Sequence, residues 1–177
     1  MIGQGNPVRV IDAFVDNLDI EKAGFKKSVP SWTGRPPYDP RDLLKLYVYG
    51  YFNKIRSSRK LMAECTRNIE LFFLLNRLTP DFRTISDFRK DSAKALKNVI
   101  HAFVKLCRIK EDIHKIKERM CLSEHPFGTV KWYHGAHYLL CKGKEKATAE
   151  LGLSFLAYNI KRAINMVGVR KLIEAIQ

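Results

Sequence analysis

The stretch DPRDLLKLYVYGYFNKI, residues 39–55, decides the fold class. Leu43, Leu44, Tyr47, Val48, Tyr51, Phe52 and Ile55 recur at spacings of three and four, which gathers them on one wide stripe of a helix. Asp39 is placed to cap the first turn, Pro40 falls at the first helical position, and Asp42 follows three residues after the cap. The preceding segment SVPSWTGRPPYDP (28–40) holds four prolines and one glycine and reads as a stiff extended loop. Tyr47, Tyr49 and Tyr51, like Phe72 and Phe73 further on, sit at helical spacings that suit a core better than a base-stacking platform.

Outward from this helix the same period repeats. Val8, Ile11, Phe14, Val15 and Leu18 predict a short amphipathic helix over 8–20. RSSRKLMAECTRN (56–68) opens with serines suited to capping and continues as a helix with Leu61 and Cys65 inward and Arg59, Lys60 and Arg67 outward. IELFFLLNRL is helical or buried, and Thr79 with Pro80 is a further start signal. A long helix is expected over 84–109, opened by a Thr84–Asp87 capping box, with Ile85, Phe88, Ala95, Val99, Phe103 and Leu106 inward. After the charged run at 110–118 and the break at Pro126 and Gly128, an irregular stretch precedes a helix over 144–168. That helix aligns Ala149, Leu153, Leu156, Ile160 and Ile164, and VRKLIEAI forms a last short helix. No alternating strand of useful length is present, so the expectation is an all-α chain in two pieces.

Charge narrows the class of partner. Thirty-two Lys and Arg stand against 18 Asp and Glu, a net charge of +14. Such a surplus favours a polyanion, and double-stranded DNA suits it better than an anionic membrane, because the bases are spread along the chain with no juxtamembrane block. Short helices joined by tight turns suit a helix-turn-helix-like module. Arg56, Arg59, Lys60, Arg67, Arg83, Arg89 and Lys90 are the candidate phosphate contacts, although for any one of them taken singly a solvated helix face is the better reading. No segment reaches the roughly 18 to 20 apolar residues of a membrane span, and no signal peptide opens the chain. Cys65, Cys107, Cys121 and Cys141 show no CxxC pair and read as reduced thiols, so a cytoplasmic, nucleoid-associated location is expected. Cys121, His125, His134, His137 and Cys141 have zinc chemistry but fit no finger spacing, and nothing argues for a small-molecule substrate.

Two blocks carry a family resemblance. Residues 8–91, with GRPPYDP, IRSSRKL and TPDFRTISDFR in order, resemble the N-terminal domain of DDE-type insertion-sequence transposases. Residues 118–166, ERMCLSEHPFGTVK through AYNIKRAINM, are similar to that family's C-terminal segment, which carries the last catalytic acid in a Tyr-Arg-Glu-Lys pattern. The resemblance implies that the first block binds terminal inverted repeats. It also implies that Glu124 matches the last acid, with Arg119 upstream, Lys131 after it and Ile116 where tyrosine usually stands.

In the intact family Mg²⁺ is held by converging carboxylates, the other two of which come from an RNase H-like core between these blocks. Here residues 92–177 hold a single aspartate, Asp112, inside a charge run, and Asp81, Asp87 and Asp91 suit capping and surface pairing. Glu124 alone would be the metal ligand, and one acid cannot hold two hard cations against water. The expectation is therefore an internally deleted transposase, with no tightly bound Mg²⁺ and no activity of its own. Its parts would be a DNA-binding domain over 1–109, a joint at 110–118 and a catalytic-domain remnant over 119–177. The start of the chain, late within its domain, fits a decayed copy. Full-length transposase or a second copy is the expected protein partner, which makes an inhibitor of transposition one alternative. A poorly folded remnant, with Leu153, Leu156 and Ile160 exposed, is the other.

Overall fold

The computed structural model describes residues 2–25, 38–109, 128–133 and 135–177, and among them there is helix and turn but no strand. The helices are α1 (Val8–Asp16), α2 (Ile20–Ala23), α3 (Pro40–Phe52), α4 (Ser58–Cys65), α5 (Ile69–Leu74), α6 (Phe82–Asp91) and α7 (Ala93–Ile109). A π-helical turn at Thr129–Tyr133 precedes α8 (Lys144–Val167) and α9 (Val169–Ile176). The all-α expectation holds for the described residues.

Helix α3 is the axis of the fold. Asp39 caps it by accepting from the Arg41 amide at 2.8 Å, with Pro40 in the first turn. From Leu43 to Tyr51 every residue is buried, so the expected stripe is in fact a whole circumference. A helix enclosed all round must be covered on several sides. Helices α1, α5 and α8 supply that cover. Tyr47 donates its hydroxyl to the Ile85 carbonyl at 2.5 Å, so even its polar tip is satisfied inside. Lys45, buried where α1 meets α3, bridges Asp12 at 2.6 Å and Asp16 at 2.7 Å. Desolvation opposes its charge, but the hydrogen bonds to these two carboxylates outweigh that and hold its pKa above the ordinary lysine value.

The end of α3 is a Schellman turn. The Ile55 amide donates to Gly50 O at 2.6 Å and the Lys54 amide to Tyr51 O at 3.2 Å, with Lys54 at φ 63°. Such a turn usually carries glycine at the left-handed position, which is why the periodicity around Lys54 gave no stop signal.

Three boundaries differ from the sequence reading. The first helix ends at Asp16, and a separate short helix, α2, follows with Asp19 as its cap. The long helix expected over 84–109 is two helices that meet at Ser92. Its start lies at Phe82, because Asp81, not Thr84, is the cap: Asp81 accepts from the Arg83 and Thr84 amides at 2.8 and 3.0 Å. Thr84 and Asp87 form no capping box there. Those amides and the Thr84 hydroxyl favour the ionised Asp81 and lower its pKa.

The second half of the chain enters the same core. Helix α8 packs on α7 and α3, and α9 lies against α1. Leu153, Leu156 and Ile160 are buried, which overturns the expectation that they form an exposed apolar stripe. Gly152 of α8 receives the end of the Ile100 side chain of α7, whose Cδ1 a Cβ at that position would displace. The expected joint at 110–118 lies outside the described residues.

The closest backbone approach sets a test. A Cβ on Gly50 would stand 2.7 Å from both the Ile55 carbonyl oxygen and Leu61 Cδ2. Gly50→Ala is expected to lower stability by about 1 to 3 kcal/mol, read as a drop in melting temperature, because the backbone contact cannot relax by a rotamer change. An unchanged melting temperature would show that the turn tolerates the methyl group.

Candidate nucleic-acid interface

The α4–α5–α6 segment is built from short helices, two of them with side-chain caps. Asn68 caps α5 by accepting from the Glu70 amide at 2.9 Å, and Asp81 caps α6. Helices α4 and α6 pack together with Leu61, Cys65 and Ile85 inward. The Cys65 thiol is pushed up to about 11 by burial, as a core thiol should be.

On the outer side Arg59 of α4 and Arg83 of α6 both lie over the half-buried Phe82 ring, their guanidinium carbons 5.4 and 5.9 Å from its centroid. One aromatic side chain thus gathers two exposed cations from two helices. Lys60 follows Arg59, and Lys90 lies two turns beyond Arg83 on α6. Both are exposed, and none of these four is ion-paired among the described residues. Arg67 is exposed as well, but it is engaged with Glu64. Along α7, Lys94, Lys97, His101 and Lys105 recur at spacings of three and four and are all exposed.

Two of the seven candidate contacts are elsewhere. Arg56 and Arg89 are each only 6% exposed, and both turn inward to Glu150 of α8, which is 0% exposed. Arg56 Nη2 donates to Glu150 Oε1 at 2.7 Å, and Arg89 Nη1 stands 3.8 Å from the same oxygen. The second carboxylate oxygen accepts the Leu140 and Cys141 amides, each at 2.9 Å. Arg56 also donates to the carbonyls of Gly135 and Tyr138, the latter at 2.6 Å. Arg89 adds long contacts of 3.4 Å to the Tyr51 hydroxyl and the Arg56 carbonyl. Burial first, then the negative Glu150, pushes the Tyr51 hydroxyl up to about 12.

A buried guanidinium needs a counter-charge, and these two find it together. Neither is available to a phosphate, so the sequence assignment of Arg56 and Arg89 to DNA is corrected. Arg89 is four residues after inward-facing Ile85, and Glu150 sits on the apolar face of α8 with Leu153 and Ala157. Charged residues in register with a hydrophobic stripe were the signal for this cluster, and Glu150 was missed.

The sequence matches the family Transposase domain (DUF772) over residues 1–91, more than half of the chain. The chain belongs to this transposase-domain family. No curated protein and no solved structure matches it. The matched block covers α1 to α6, and so includes Arg59, Arg83 and the ring between them, while Glu150 lies beyond it.

Of the residues that the resemblance assigned to catalysis, Lys131 is exposed on the π-helical turn, whereas Arg119 and Glu124 lie outside the described residues. Among the described residues no three His, Cys, Asp or Glu side chains stand together as metal ligands. Of the zinc candidates, Cys121, His125 and His134 also lie outside, while His137 and Cys141 are described. No described helix is long and apolar enough to cross a membrane.

Glu150→Gln keeps the shape of the side chain and removes the charge shared by both arginines. The expected loss is about 3 to 5 kcal/mol in urea unfolding, because two buried guanidinium groups are left uncompensated. A loss below about 1 kcal/mol would mean that hydration, not Glu150, neutralises them.

Proposed function

We propose that the chain is an internally deleted insertion-sequence transposase of the DDE type that retains binding to the duplex of terminal inverted repeats and does not cleave it alone. The observation that carries the reading is the Arg59–Phe82–Arg83 cluster, exposed within the block that matches a transposase domain. Lys60 and Lys90 extend it, and the net charge of +14 supplies the long-range attraction. In a helix-turn-helix-like docking, α6 would present this cluster to the groove and backbone while α4 crosses beside it. Of the three acids that the resemblance implies, the sequence offers only Glu124; the single aspartate in residues 92–177, Asp112, falls in a charge run.

The salt dependence of binding is the direct test. With four free cations at phosphates, the slope of log affinity against log salt is expected near −3 to −4. Replacing Arg59 and Arg83 together by Ala should weaken binding and reduce that slope by about two. An unchanged slope would put the interface elsewhere, with the exposed α7 row next in line. In the same mixtures Mg²⁺ should produce no nicked duplex; cleavage lost in Glu124→Gln would overturn the inactive reading.

A second reading rests on the shared core. The packing of α8 and α9 on α1, α3 and α7 supports a folded product that could occupy repeats in place of full-length transposase. Co-expression is then expected to lower transposition frequency, and the double Arg variant to restore it. An unaltered frequency would leave an inert remnant.

A further inference from the structure

The π-helical segment and the turn that leads from it to α8 carry a row of rings on the surface. Trp132 is 71% exposed and Tyr138 is 54% exposed. Trp132 stacks on His137 with centroids 5.8 Å apart and planes 19° apart, and His137 meets Tyr138 edge-on at 4.9 Å. Beneath them the buried Arg56 lies with its guanidinium carbon 4.8 Å from the Tyr138 ring centroid. The same arginine holds the turn by donating to the Gly135 and Tyr138 carbonyls, and Glu150 fixes both Arg56 and the Leu140 and Cys141 amides. The exposed rings are therefore carried on a backbone fastened to the core.

The segment that carries them holds charge of one sign. Residues 128–144 contain Lys131, Lys142 and Lys144 and no Asp or Glu, and Lys131 Nζ stands 5.4 Å from the Trp132 ring centroid. An exposed indole beside Lys131, on a segment 128–144 that itself carries no acid, meets both needs of an unpaired nucleotide: a flat surface for the base and a cation for its phosphate. Burial of this surface against an apolar protein face would strand Lys131 in the contact.

We propose that Trp132, supported by His137 and flanked by Lys131, stacks an unpaired base of single-stranded nucleic acid. The site lies outside the matched block and shares no residue with the Arg59–Phe82–Arg83 cluster, so its test is separate from that of duplex binding. Pre-ordering of the rings by Arg56 lowers the entropy lost on binding.

Indole emission reads the site directly. With Trp32→Phe as the background, Trp132 is the remaining tryptophan, and a titration with a thymidine oligonucleotide should quench its emission to saturation. Trp132→Ala should weaken oligonucleotide binding about tenfold or more, measured by anisotropy of a labelled strand, whereas Trp132→Phe should recover much of it. Duplex binding by Trp132→Ala should be unchanged, so failure of either interface is seen by itself. Absence of quenching, or equal affinity of the Ala variant, would overturn the proposal. A blue shift that grows with protein concentration without nucleic acid, together with a dimer in sedimentation that Trp132→Ala abolishes, would assign the rings to contact between copies and would overturn it as well.

Discussion

One buried carboxylate, Glu150, holds four segments of the chain in place. It accepts Arg56 from the turn after α3, faces Arg89 of α6, and caps two amides of the turn before its own helix. Two guanidinium groups without it would be charges in a medium that solvates them poorly. The arrangement still leaves Arg56 Nε, Arg89 Nε and the Ser154 hydroxyl without partners among the described protein groups. The cluster is thus less a source of stability than a constraint on shape: only one docking of α8 brings a carboxylate to both arginines.

That constraint ties the two ends of the molecule together. The transposase-domain match stops at residue 91, yet the charge that neutralises its two inner arginines comes from residue 150. Helix α8 also buries Leu153, Leu156 and Ile160 on α7 and α3, and α9 closes on α1. The matched block and the helices beyond it therefore share one apolar core among the described residues. Arg56 carries the coupling to the surface, since its remaining donors hold the Gly135 and Tyr138 carbonyls under the exposed rings.

The same chemistry divides the cations by place. Arg59 and Arg83 keep their charge outside, gathered by Phe82, while Arg56, three residues before Arg59, is turned inward by the Schellman turn at Lys54. Arg89 is drawn in by its position one turn after Ile85, and Lys90 beside it remains exposed. Neighbouring residues of identical charge thus have opposite fates, one specifying the core and the other left exposed at the surface.

Sequence by itself determined the elements that depend on local chemistry. The Asp39–Pro40 start of α3, the inward Leu61 and Cys65, the outward Arg59 and Lys60, and the extents of α8 and α9 all follow from caps and from the 3.6-residue period. The break at Ser92 and the Asp81 cap were less legible, because a helix can turn a corner without Gly or Pro and because two plausible caps stood three residues apart. The fate of Arg56, Arg89 and Glu150 was decided only by tertiary structure. Period and charge show which face a residue occupies, but burial of an ion depends on a counter-ion, and here that counter-ion lies 94 residues away along the chain.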